Sequence, residues 1–266
     1  FRFHDPATGE VIDEIELPPS FGTGDPYISR AVLRDGRIYA AGGYGEGGDA
    51  AVFVVAFDLE TGEPDWIHED QSLGWSPVDT TLTFGSDGST LVLGGPNAIL
   101  ALDAGTGGEL WRSLELTGRD GLHVDGGVVV AWPEPRVNRG FDARTGEFLW
   151  EFDENTFPRY ASDGTNFYVV VNDNELQARR LATGDLVWRA DGPTVGIGAP
   201  AAVGIGGDLV YFVHETGPAA AFRLSSGQLV WSSTLEGISS GGGSPPLFTA
   251  GGRLILLQDE TVKVYR

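Results

Sequence analysis

The 266-residue chain has no cysteine and no methionine, only four histidines, and a single lysine, Lys263, among its 17 basic residues. Without cysteine there is no disulfide framework, no thiolate metal site and no cysteine nucleophile. Residue 1 is not methionine, so the chain is expected to be a mature or excised portion of something longer. No apolar run approaches the roughly 20 residues that a membrane span needs, and no signal-peptide pattern is present, so no direct membrane insertion is expected. Against 38 acidic residues the scarcity of base leaves a formal net charge of -21. A surface of that sign repels phosphate backbones and anionic lipid, which argues against nucleic-acid binding. Helical periodicity is nowhere convincing.

What is present is apolar and turn-rich. Hydrophobic residues make up 41% of the chain and aromatic residues 11%, enough for a substantial core, and the 40 glycines follow no Gly-X-Y period. Frequent tight turns account for them.

A motif recurs six times: a small residue, then x-Asp-x-x-Thr-Gly, with tryptophan four positions after the glycine. Three copies are Ala56-Phe57-Asp58 with Thr61-Gly62 and Trp66, Ala101-Leu102-Asp103 with Thr106-Gly107 and Trp111, and Gly140-Phe141-Asp142 with Thr145-Gly146 and Trp150. Two replace Asp by Arg: Arg180 with Thr183-Gly184 and Trp188, and Arg223 with Ser226-Gly227 and Trp231. The sixth, Asp5 with Thr8-Gly9, carries Asp13 where tryptophan belongs.

A second marker runs out of phase with the first: Asp35-Gly36, Asp87-Gly88, Asp125-Gly126, Asp163-Gly164, Gly206-Gly207 and Gly251-Gly252. Each precedes a strongly β-forming run and reads as a hairpin turn, because Asp-Gly and Gly-Gly supply positive φ. The motif glycines, from Gly9 to Gly227, follow one another at 38 to 53 residues, the length of one four-stranded propeller blade. With strands labelled A to D within each blade, the second marker is the A–B turn and Thr-Gly the C–D turn. An all-β propeller of six four-stranded antiparallel blades is therefore expected, as a single domain over residues 1–266. Val262–Arg266 reads as the last C strand and Glu10–Leu17 as its missing D strand, so the N-terminus is expected to close the C-terminal blade. Phe1–Asp5 also aligns with a C strand, which leaves open an arc cut from a seven- or eight-bladed ring.

The Ala-x-Asp-x-x-Thr-Gly-x-x-x-Trp signature resembles the tryptophan-docking repeat of pyrroloquinoline-quinone-type (PQQ-like) propellers, over essentially the whole chain. The resemblance implies a quinoprotein-like or WD40-like ring in which each tryptophan packs between blades as a structural element. It also implies three functional branches: quinoprotein dehydrogenases, binding scaffolds such as the outer-membrane barrel-assembly lipoprotein, and sensor domains of membrane-bound kinases. The dehydrogenases it resembles have eight blades, a calcium ion beside the quinone and often a vicinal disulfide, which a chain without cysteine cannot form. No cofactor is predicted; calcium or PQQ would need support that the sequence lacks.

The chemical motifs are weak. No two of His4, His68, His123 and His214 lie at metal-ligand spacing, which predicts no zinc site. Gly237-Ile238-Ser239-Ser240-Gly241 matches a nucleophile elbow, but no histidine follows it. Asn172-Asp173-Asn174-Glu175 reads as a B–C turn rather than a calcium loop. Gly42–Gly48 and Gly192–Gly198 lack the helix or Lys-Ser/Thr of a phosphate cradle.

The remaining candidates are large side chains on B–C loops and D–A segments, where propeller sites collect. Trp132, Glu134, Arg136 and Arg139 are assigned to one B–C loop, Tyr44 to a second, and His214 with Glu215 to a third; Trp75, Arg159 and Tyr160 are assigned to D–A segments. Aromatic residues and arginine are the types that anchor interfaces. The expected function is a non-enzymatic, extracytoplasmic, monomeric module that presents this face to a protein or peptide, as an assembly scaffold or receptor sensor. The alternative is a small-molecule or divalent-cation site in the central channel, using acids such as Asp25 and Asp79.

Overall fold

A computed structural model describes residues 2–5, 7–15, 26–44, 51–71, 81–85, 87–95, 98–114, 122–134, 136–172, 174–193, 200–214, 217–236, 247–250, 253–258 and 261–265. They group into two compact units, Phe1–Val124 with Ala143–Gly146, and Asp125–Asp142 with Glu147–Arg266.

The chain opens with Arg2–His4 (β1) paired to Val11–Glu14 (β2). Four-stranded sheets follow in chain order: Tyr27–Arg34 (β3), Arg37–Tyr44 (β4), Ala51–Asp58 (β5) and Pro64–Asp70 (β6), then Thr81–Phe84 (β7), Thr90–Gly94 (β8), Ile99–Asp103 (β9) and Glu109–Ser113 (β10). Next come Leu122–Asp125 (β11), Val128–Glu134 (β12), Val137–Asp142 (β13) and Phe148–Asp153 (β14), and Thr156–Ser162 (β15), Asn166–Val171 (β16), Glu175–Arg180 (β17) and Leu186–Asp191 (β18). The last full sheet is Pro200–Gly206 (β19), Leu209–His214 (β20), Pro218–Arg223 (β21) and Leu229–Thr234 (β22), followed by three strands, Leu247–Ala250 (β23), Arg253–Gln258 (β24) and Thr261–Tyr265 (β25). The architecture is all-β and propeller-like, five repeated four-stranded antiparallel sheets with shorter sheets before and after them.

Burial follows strand position. Most second and third strands are largely buried, as in β5, where every residue from Ala51 to Phe57 is at most 1% exposed, whereas β13 alternates and β17 buries the polar Gln177 and Arg179. The fourth strand alternates, as its eeBeie pattern in β14 and β18 shows. In the first unit Tyr39, Val54, Leu91, Leu100 and Leu102 share one core. In the second, Tyr168, Val170, Phe212 and Phe222 share another. Each such side chain contributes about 1.5–3 kcal/mol by leaving water.

The motif residues do what their chemistry dictates. In the Asp58 turn the Oδ1 atom accepts the N–H groups of Glu60 and Thr61, both at 2.9 Å, and Gly62 closes the turn at φ 72°. The small residue faces its tryptophan across the sheet in every copy: Ala56–Trp66, Ala101–Trp111, Gly140–Trp150, Ala178–Trp188 and Ala221–Trp231. Four indole N–H groups then donate to the carbonyl one residue past the next motif's Asp or Arg: Trp66 to Ala104 at 3.1 Å, Trp111 to Ala143 at 2.9 Å, Trp150 to Leu181 at 2.6 Å and Trp188 to Leu224 at 2.8 Å. A buried indole carries both a large apolar area and one donor that must be satisfied, and this geometry meets both needs.

Two expectations change. The N-terminal strand does not close the C-terminal sheet among the described residues: β2 pairs with β1, and β25 with β24. The Asp5 turn holds the β1–β2 hairpin, because Asp5 Oδ1 accepts the Ala7 and Thr8 N–H groups at 2.7 and 2.9 Å. The A–B turns also differ in kind. Asp35-Gly36 has positive φ at both residues, 49° and 76°, whereas in the next unit the turn pair is Gly126-Gly127 and Asp125 ends β11.

Candidate functional site

The B–C ends of the sheets hold most of the candidate residues, in very different environments. Tyr44, half-buried at the end of β4, stacks beside Phe53 with ring centroids 6.4 Å apart, and its hydroxyl donates to Glu69 Oε2 at 2.9 Å. Burial, and then the Glu69 carboxylate, hold that hydroxyl above its ordinary pKa. Arg136 sits in the β12–β13 turn at φ 75°, exposed, with its Nε 3.4 Å from Asp153 Oδ1. Arg139 lies on β13 rather than in the loop, where its cross-strand partner Glu151 accepts from Nε at 2.7 Å.

Trp132 and Tyr160 come together, but inside the second unit. Their rings stack at 4.2 Å with 12° between planes, and Trp132 is only 6% exposed. Thr156 Oγ1 accepts the indole N–H at 2.5 Å and donates to Asn138 Oδ1 at 2.6 Å, which also accepts the Tyr160 hydroxyl at 3.1 Å. Burial drives the Tyr160 hydroxyl well above its ordinary pKa. Asn138, fully buried, returns its amide N–H to the Glu154 carbonyl at 3.0 Å. A closed network of this kind rigidifies the sheet end and leaves little of either ring to touch a partner.

His214 is 1% exposed at the end of β20, and its carbonyl accepts the Gly217 N–H at 2.9 Å. Arg159 lies on β15, but its side chain falls outside the described residues, as do Trp75, Asp25, Asp79, Glu215 and the whole of Gly237–Gly241. Asn172 has φ 49° and Asn174 donates to the Val171 carbonyl at 3.2 Å, so this segment is a hairpin turn between β16 and β17. Elsewhere in the second unit, a cleft of about 820 Å³ is lined by Tyr211, Trp231, Leu254 and Tyr265 among others.

One cluster had no signal in the sequence. In the first unit His68 and Asp70, two apart on β6, meet Glu109 of β10, and a ligating atom from each lies within 4.8 Å of the others. Arg112 Nη2 reaches Asp70 Oδ2 at 2.7 Å and its Nε reaches Glu109 Oε1 at 2.9 Å. The Arg112 hydrogen bond is the main cause that lowers the Glu109 pKa. The expectation of no histidine at metal-ligand spacing considered pairs of histidines along the chain; this group instead joins one histidine to carboxylates, one of them in a different sheet.

A sequence profile of the family described as outer membrane protein assembly factor BamB matches residues 54–189 and 97–244. The chain belongs to that family. The BamB match spans all five docking tryptophans, Trp66 to Trp231, so the repeat is that of the PQQ-like propellers. Among solved structures, BamB from Moraxella catarrhalis aligns at 20% identity and a TM-score of 0.59, over 88% of this chain and 67% of that one. The computationally designed Ika8 protein aligns at 18% identity and 0.69, over 97% and 74%. A europium-containing methanol dehydrogenase aligns at 14% identity and 0.58, over 85% and 60%. No curated protein sequence matches significantly. An assembly factor, a design and an enzyme share this fold, so the fold likeness does not choose between their activities.

Proposed function

We propose that this chain is a non-enzymatic propeller module that works outside the cytoplasm and binds a protein or peptide with the B–C and D–A end of its sheets. In this reading residues 1–266 act as one domain and one copy suffices. The observation that carries it is Arg136. A turn position at φ 75° suits glycine or asparagine, and an arginine there costs about 1–2 kcal/mol. Backbone strain of this kind clusters at functional sites and ligand clamps, which supports a contact role for the exposed Arg136 side chain. Membership of the BamB family supports both a protein partner and an extracytoplasmic location.

The test is site-specific photo-crosslinking in cells from position 136, with position 230 on the exposed face of β22 as control. A crosslink to one discrete protein from 136, and none from 230, is expected. Equal labelling from 230 would overturn the reading. A thermal-melt series with calcium, PQQ and EDTA addresses the channel alternative, since a ligand of the native state raises the melting temperature by linkage.

A further inference from the structure

We infer that His68, Asp70 and Glu109 bind a transition-metal ion of the zinc type, clipping β6 to β10. The inference is independent of the proposed partner face and starts from one atom. His68 Nδ1 lies 3.2 Å from the Gly107 carbonyl oxygen. A carbonyl only accepts, so Nδ1 carries a proton, and in the neutral ring Nε2 then carries the lone pair. That Nε2 is buried, and among the described residues no hydrogen-bond partner reaches it. Leaving a buried acceptor unpaired is costly, and a ring nitrogen held in this tautomer by a backbone carbonyl is the usual setting of a metal-ligating histidine.

The surroundings complete the set. The Asp70 and Glu109 carboxylates share the 4.8 Å neighbourhood with the His68 ring. Neither can donate to an imidazole lone pair when ionised, so the His68 Nε2 atom is left for a Lewis acid that the two carboxylates can share. Arg112 answers the carboxylates, through Asp70 Oδ2 and both Glu109 oxygens, while among the described residues no donor reaches His68 Nε2. Each carboxylate oxygen has a second lone pair, so an ion bound by all three groups does not require Arg112 to leave. One imidazole and two carboxylates, at zinc–ligand distances of about 2.0–2.2 Å, suit zinc and its neighbours better than calcium or magnesium, which prefer oxygen alone. Asp70 is 8% exposed and ends the strand that carries His68, so the ion would join two adjacent sheets near their surface.

The experiment uses the full chain, stripped with EDTA and dialysed. Zinc chloride is titrated by calorimetry and cobalt chloride by visible absorption. One saturable site is expected, with affinity at least about tenfold weaker in His68→Gln and in Asp70→Asn. The cobalt band should disappear in His68→Gln, and calcium at equal concentration should not compete. No saturable zinc binding, or unchanged affinity in His68→Gln, overturns the proposal and leaves only diffuse attraction to an acidic surface. If either variant fails to fold, the ring nitrogen signals of the wild-type His68 decide: a zinc-dependent Nε2 shift at His68 supports the site. A ring that responds to pH but not to zinc overturns it.

Discussion

The Trp150 indole donates to the Leu181 carbonyl at 2.6 Å while the same ring lies 5.5 Å from Phe167 at 6° between planes. The donor end ties β14 to the turn after β17, and the ring face fills the space between the two sheets. Trp150 is 5% exposed. Trp150→Ala is expected to cost about 3–5 kcal/mol in urea unfolding. Gly184→Ala should cost more than about 1 kcal/mol, since Gly184 has φ 71° and a Cβ there would lie 2.8 Å from the Trp150 ring. Unfolding midpoints within error of wild type for both variants would contradict the docking role.

Arg179 replaces an apolar residue on a buried strand, and the structure compensates fully. Its guanidinium lies 3.9 Å over the Phe152 ring, 2.5 Å from Glu154 Oε1 and 2.7 Å from Gln177 Oε1. Burial pulls its pKa down, opposed by Glu154. Glu154→Ala leaves a buried cation short of its anion and is expected to destabilise by about 1–3 kcal/mol. Arg179→Met keeps the packing on Phe152 and leaves only a partly exposed carboxylate behind, so it should cost less. Chemical denaturation of both variants checks the order, and the reverse order would show that the pair does not act in this way.

Asp163 gives a pH signature. Burial raises its pKa, but the hydrogen bonds it accepts from the Asn166 N–H, the Tyr168 hydroxyl and the Thr165 N–H outweigh that and lower it below the ordinary value. A carboxylate depressed in the folded state contributes stability above its unfolded pKa, near 3.9, and loses it as pH falls through the folded value. Wild type is thus expected to lose more stability between pH 5 and pH 2 than Asp163→Asn, measured as urea midpoints across that range. Parallel pH profiles would refute it.

Arg136→Gly separates stability from binding. Relief of about 1–2 kcal/mol of backbone strain exceeds the roughly 0.5–1 kcal/mol entropic cost of glycine, so the variant should be as stable as wild type or more so. Photo-crosslinking from position 153, beside Arg136 in the same unit, should nonetheless fall in the Arg136→Gly background. A destabilised variant with undiminished crosslinking would remove Arg136 from the proposed face.

The tryptophans and the Thr-Gly turns were legible in the sequence because their chemistry is local. An aspartate two and three residues before free N–H groups, a glycine needing φ near 70° and a small residue opposite an indole can all be read from spacing. Trp132 and Arg139 were not legible in the same way. Where a strand stops and a loop begins shifts by a few residues, and that shift takes Arg139 from a loop onto β13 and turns Trp132 inward to Thr156.

Pairing of distant segments was beyond reach for a different reason. The sequence offered β2 two partners of similar pattern, and among the described residues it pairs with β1 across the Asp5 turn. His68 and Glu109 stand in different repeats with nothing in their spacing to join them. The sequence by itself determined the repeat, the all-β class and the turn chemistry, since each depends on residues within a few positions of one another. Only the tertiary structure decided which strand ends are buried, which carboxylates share Arg112 and which histidine nitrogen is left without a donor, because those follow from how one sheet packs against the next.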